Sequence, residues 1–163
     1  MAWSERTYRD ALGHFATGVA VLSGRHGDGA PVGLTINSFS SVSLDPRIVV
    51  FSVNSRSPSL GCFEPERPFA ISLLAAAHEE VSAHFARPQN NKWGSVSHVT
   101  WDHGCPIVAG CLAAFEGLIH SRVEVGDHWV LFGNVQRMAV NSGLDPLLFF
   151  RGRYRSLREA VPA

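Results

Sequence analysis

Residues 111–140 constrain the fold of this chain more than any other stretch. CLAAFEGLIHSRVEV (111–125) and HWVLFGNVQRMAV (128–140) both alternate at period two around Gly126-Asp127. Alternation sends successive side chains to opposite faces of a strand, and two such runs separated by a short turn predict a hairpin. With only Gly126 and Asp127 in the turn, Glu116 stands directly opposite Arg137. An opposite-charge pair there supports that register.

Other segments supply strands to go with it. TGVAVLSGR (17–25), PVGLTINSF (31–39), RIVVFSVN (47–54) and PFAISLL (68–74) read as strands, with HGDGA (26–30) as a turn. RIVVFSVN is apolar on both faces and predicts a buried central strand. Residues 4–14 predict a short amphipathic helix, with Tyr8, Leu12 and Phe15 at helical spacing and Thr7 with Asp10 resembling a capping box. HEEVSAHFA (78–86) predicts a second helix, and residues 86–106 a long, partly irregular loop. PLLFFRGRYRSL (146–157) is a last apolar segment that turns basic. Strands follow one another through short turns, without a helix after each. The expected fold is therefore mainly β, an antiparallel barrel of about six to seven strands with two or three short helices. One domain is expected over residues 1–163, with no internal repeat or linker.

Composition narrows the function. Formal net charge is zero and no basic block occurs, which argues against nucleic acid or anionic lipid as a partner. No apolar run approaches the ~20 residues needed to cross a bilayer. The N-terminal MAWSERTYRD is charged and helix-like, unlike a secretory signal. Three cysteines, Cys62, Cys105 and Cys111, are simplest as reduced thiols in a cytoplasmic protein. Hydrophobic residues make up 45% and charged ones 17%, a balance that points to surface covered by a second subunit. No GxGxxG, GxxxxGK[ST] or GxSxG is present. His98, His103, Cys105 and Cys111 match no tight metal-ligand spacing.

The densest polar stretch is GLTINSFSSVSLDP (33–46), between two apolar runs. Thr35, Ser38, Ser40, Ser41 and Ser43 bring hydroxyls, and Asn37 an amide. Small side chains also leave backbone groups open to a flat hydrogen-bonding ligand, although Ser-rich turns often just cap themselves. Further on, Ser57-Pro58 predicts a helix start, Ser as cap and Pro in the first helical position. Such an N-terminus binds phosphate, and Ser55, Arg56, Ser57 and Ser59 add donors. His128 follows the hairpin tip, where a side chain can meet a ligand.

Together these motifs resemble the small flavin reductases of two-component monooxygenase systems, the FMN-binding split β-barrel family. TxNSFxSVSxxP and GDHxxxxGxV carry the resemblance, with FATGVAVLS (15–23), VVFSVNSRSPSLGCF (49–63) and HFAR (84–87) in family order. The resemblance implies a Greek-key split barrel, a homodimer with flavin beside the interface, and a separate flavin-dependent monooxygenase as partner. It implies an NAD(P)H:flavin oxidoreductase, with FMN or FAD as flavin and NADH or NADPH as hydride donor. Rival readings are a flavoprotein that retains its flavin and a non-catalytic flavin-binding protein. By match to the motif, Thr35, Ile36, Asn37 and Ser38 would contact the flavin ring, with Ser40 and Ser41 towards the ribityl-phosphate side. Asn54, Ser55, Ser57 and Ser59 would hold phosphate, while Phe85, Ala86, Arg87 and Lys92 would close the flavin's other end. His128 would meet the nicotinamide nucleotide, with Arg153 and Tyr154 nearby. PQNNKWG (88–94) lacks the acidic residue that many relatives carry before Lys, which leaves FMN against FAD open.

Overall fold

A computed structural model describes residues 3–157. Within them, helix α1 spans Glu5–Leu12 and α2 Glu79–Ala86. The strands are β1 (Thr17–Gly18), β2 (Ala20–Arg25), β3 (Pro31–Ile36), β4 (Ser40–Leu44), β5 (Arg47–Asn54), β6 (Pro68–Leu73), β7 (His98–Thr100), β8 (Pro106–Val108), β9 (Ala113–Val125), β10 (His128–Val140), β11 (Leu148–Phe150) and β12 (Arg153–Arg155). Seven of them form one antiparallel sheet in the order β3-β2-β6-β9-β10-β5-β4. Its two edge strands, β3 and β4, are consecutive in the chain, joined through Asn37, Ser38 and Phe39. Among the described residues no ladder joins β3 to β4, so the barrel stays split.

The predicted hairpin is β9–β10. Val125 pairs with His128 across Gly126-Asp127, where Gly126 takes φ +61°. Arg137 does stand opposite Glu116, because two register shifts, at Phe132/Gly133 and Val135/Arg137, offset each other. The expected ion pair does not form. Glu116 is buried, and its Oε1 accepts a hydrogen bond from the His103 N–H at 3.1 Å. Arg137 instead reaches Asp102 at 2.9 Å and lies over the Trp101 ring. A charged pair gains more from water at the rim than from burial beside the core.

Two apolar layers hold the sheet. On one face Leu22, Phe51, Phe63, Phe69, Ile71, Ile119 and Leu131 form a core. On the other, Val21, Ala70, Leu74, Phe85, Trp93, Ile107 and Leu147 pack beneath α2 and the short strands. Each fully buried large side chain contributes roughly 1.5–3 kcal/mol. β2 and β6 therefore carry burial on both faces, as β5 was expected to. On β5, Ile48, Val49, Phe51 and Val53 are buried, but Val50, Ser52 and Asn54 stay half-exposed. Its partner β4 ends at Ser40 opposite Val50, so β5 lies next to an edge and not at the centre.

Other expectations shift locally. Ser4, not Thr7, caps α1, its Oγ accepting the Thr7 N–H at 3.1 Å. The helix buries none of its residues, and Tyr8, Leu12 and Phe15 are exposed. The predicted strand 17–25 breaks at Val19, because β1 pairs with β11 while β2 joins the main sheet. The predicted strand 31–39 stops at Ile36. No α-helix begins at Ser57-Pro58. A tight turn, closed by Leu60 N–H to the Ser57 carbonyl, leads into a 3₁₀ turn at Leu60–Phe63. Burial of Cys62 and Phe63 draws the chain into the core before a helix can run on. All three cysteines are buried, free thiols, and no helix among the described residues is long and apolar enough to cross a membrane.

Candidate functional site

The split between the sheet edges makes a slit. β3 pairs only with β2, and β4 covers β5 only as far as Val50. The outer edges of β3 and of Ser52–Asn54 therefore carry N–H and C=O groups without a ladder partner. Ser38 spans the gap at one end, its Oγ accepting the Ser52 N–H at 3.0 Å. Between the edges lies a cavity of about 270 Å³, lined by Leu34–Ser38, Ser52–Asn54, Ser57 and His128. It shares Leu34 and Thr35 with a cavity of about 670 Å³ beneath the end of α2. Backbone edges this open suit a planar ligand rich in donors and acceptors.

Most of the expected residues converge here. Thr35, Ile36, Asn37, Ser38, Asn54, Ser57 and His128 line the slit. Thr35, Ser59, Phe85, Ala86, Arg87 and Lys92 line the adjoining cavity. Ser40 and Ser41 do not line either one. They lie exposed on β4, and Ser40 faces a cavity of about 880 Å³ on the α1 side. Ser55 also stands apart. Its N–H donates to the Asp127 carbonyl at 2.9 Å, tying the turn to the hairpin tip, and its Oγ is buried without a partner. Arg153 and Tyr154 sit on β12, away from the slit lining. The Thr35 hydroxyl donates to the Ser82 carbonyl at 2.6 Å, so its backbone, more than its side chain, is free for a ligand.

At the mouth, His128 Nδ1 lies 2.8 Å from Asp127 Oδ1. That hydrogen bond holds the Asp127 carboxyl below its usual range. At the far wall, the Lys92 ammonium donates to the carbonyls of Gly33 at 3.1 Å and Phe85 at 2.8 Å. Burial lowers its pKa, and among the described residues no carboxylate accepts from it. The third ammonium proton and Arg87 leave this wall suited to an anion. Without a helix start at Ser57, phosphate would rest on these cations and on the Ser57–Ser59 turn instead of a helix dipole.

Sequence reasoning missed three parts of this site. Gly33 lets α2 approach, since a Cβ there would lie 2.4 Å from the Phe85 ring. Trp93 packs 4.5 Å from Phe85 and donates through Nε1 to the Val32 carbonyl at 3.0 Å. A buried tryptophan inside a polar loop was the available signal. Ser82, fully buried on α2, receives the Thr35 hydrogen bond; a serine in a helix gave no hint.

A flavin reductase like domain matches residues 12–158. The chain belongs to that family. It is 38% identical to an NADH-dependent FMN reductase of Agrobacterium fabrum, over 93% of this chain and 85% of that one. It is 34% identical to the reductase subunit of a flavin-dependent monooxygenase from Rhodococcus jostii, over 97% of this chain and 82% of that one. Its fold superposes, at TM-score 0.86 and 34% identity, on the Streptomyces globisporus NADH:FAD oxidoreductase in complex with NAD and FAD fragments, covering 96% of this chain and 93% of that one. Against other curated relatives it spans less, at 64%, 50% and 48% of their length, the first being the reductase subunit of a Rhizobium meliloti stachydrine N-demethylase.

Proposed function

We propose that this chain is an NAD(P)H-dependent flavin reductase that passes reduced FMN or FAD to a separate flavin-dependent monooxygenase. The observation that carries the reading is the slit, with its two unpaired strand edges and a cation wall behind it. Relatives named as NADH-dependent FMN and FAD reductases support it. When bound, flavin supplies the chemistry by taking at N5 the hydride released from C4 of reduced nicotinamide. The protein's part is to bind and orient. The β3 edge, Asn37 and Ser38 hydrogen-bond the ring. Ser57, Ser59, Lys92 and Arg87 hold the phosphate. Phe85 shields the inner end from water, and His128 offers its imidazole at the mouth to the nicotinamide nucleotide. No side-chain nucleophile is needed, since alignment itself supplies much of the rate.

The same reading includes one domain, a homodimer and a cytoplasmic setting. Helix α1 buries nothing, Leu12 and Phe15 line the 880 Å³ cavity, and Tyr8 with Val42 and Leu44 of β4 adds exposed apolar surface. A second subunit would cover it. Buried free thiols suit a reducing compartment.

NADH or NADPH oxidation should be followed in air with FMN or FAD added in excess. Turnover should rise with added flavin and saturate. Only the background rate with every nicotinamide and flavin combination would overturn the reading.

A further inference from the structure

Tyr154 lies outside the slit, yet its hydroxyl reaches it in two steps. The Tyr154 hydroxyl is 2.7 Å from Ser82 Oγ on α2. Ser82 is fully buried, and its carbonyl accepts from Thr35 Oγ1 at 2.6 Å. Thr35 is shared by both cavities of the site. Tyr154 is itself fixed, opposite Phe149 in the β11–β12 ladder and edge-on to its ring at 5.6 Å. β11 in turn pairs with β1.

We propose that Tyr154 is a positioning residue for the flavin slit, acting through Ser82 to fix Thr35 and the outer edge of β3. This rests on the slit being the flavin site. The physical case is local. β3 has no strand on its outer side, so contacts from other elements, such as the Lys92 bond to the Gly33 carbonyl, hold that edge in place. Another is the Thr35 bond to α2, which also selects the χ1 rotamer of a β-branched side chain. α2 is seated from below by the Tyr154 bond to Ser82. Removing that bond leaves a buried hydroxyl to find another partner and lets the helix and β3 shift together. Tyr154, which the resemblance placed near the nicotinamide nucleotide, thus has its hydroxyl committed to α2, and its effect falls on flavin.

The test compares the wild type with Tyr154→Phe, Ser82→Ala and the double variant. FMN and FAD are titrated by their own fluorescence, alongside steady-state kinetics in NADH and thermal unfolding. Tyr154→Phe keeps the ring against Phe149. Each single variant should raise the flavin Kd about fivefold, the scale of one hydrogen bond. The NADH KM should hold, and the double variant should be no worse than the poorer single one. Three results would overturn the proposal: a lowered Tm with unchanged flavin Kd, a rise confined to the NADH KM, or additive effects in the double variant. If Ser82→Ala does not fold, Thr35→Val and Thr35→Ser replace it. Thr35→Val should then show the loss and Thr35→Ser restore affinity. Wild-type protein that changes the fluorescence of neither flavin would sink the flavin reading itself, and the role of Tyr154 with it.

Discussion

Strands β2 and β6 over most of their length, and β9 along Ala113–Leu118, are paired on both edges and largely buried. β3 and the end of β5 are paired along one edge only. The same chain thus builds a finished wall and an unfinished one. In the wall, neighbouring strands take up backbone groups on both sides and stability comes from apolar burial. In the slit, the sheet stops short, and small polar residues let water or a ligand complete it. Function collects where the regular structure is left incomplete, because only there are backbone groups free to recognise something else.

The sharpest way to break this comparison is to place the same methyl group in each region. In the wall, a Cβ on Gly117 would lie 1.9 Å from the Asn134 carbonyl oxygen and 3.1 Å from the Val135 Cα, both backbone of β10. Nothing there can swing aside. Gly117→Ala should cost about 4 kcal/mol or more, or prevent folding. In the slit, the Cβ of Gly33→Ala would meet side chains, the Phe85 ring at 2.4 Å and Trp93 Nε1 at 3.0 Å, whose displacement should cost less, about 1–3 kcal/mol. That variant should fold but lose flavin affinity. Denaturant unfolding and flavin titration of both variants decide it. Equal losses of stability would mean that wall and slit are not mechanically distinct.

The wall was the more legible half. The β9–β10 register could be read because period-two alternation and a two-residue turn are local signals, and Glu116 opposite Arg137 followed from counting. What the two side chains do could not be read, since burial of one and rim exposure of the other depend on what packs above them. In the slit, the residues from Thr35 to Ser38 were visible as a polar run between apolar ones. The Ser57-Pro58 helix was not there, because tertiary burial of Phe63 overrode a local capping signal. Gly33, Ser82 and Trp93 escaped notice because their roles are contacts between segments about 50 to 60 residues apart. Tyr154 was picked out by its motif, and its bond to Ser82 escaped notice for the same reason.

A second test asks whether the slit's cation matters to ligand or only to fold. Lys92→Met keeps the stem and removes the ammonium that bridges Gly33 and Phe85. Loss of one charge-assisted contact should weaken FMN binding about tenfold. Riboflavin, which lacks the phosphate, should lose much less. Calorimetric titration with both ligands measures the difference. Equal weakening would make Lys92 a clasp between β3 and α2, with phosphate held elsewhere.

The smallest effect is expected in the wall, at Glu116. Its carboxyl is fully buried, with Oε1 bonded to His103 N–H and Oε2 without a partner. Burial, the largest influence, pushes its pKa above the ordinary value of 4.5. The folded protein therefore holds this proton more tightly than the unfolded chain. Stability from that proton is complete below the unfolded pKa and is lost as pH rises through the folded one. Glu116→Gln has no proton to lose and keeps an oxygen for His103. Its Tm at neutral pH should equal or exceed the wild type by about 1–2 °C, the shift expected for a few tenths of a kcal/mol. The difference should shrink towards pH 4, and flavin affinity should not change. Thermal unfolding across that range measures the slope. A wild type and variant with parallel pH profiles would show that burial does not raise the Glu116 pKa. A variant that instead lost flavin affinity would join wall and slit into one mechanical unit, against the division drawn from their pairing.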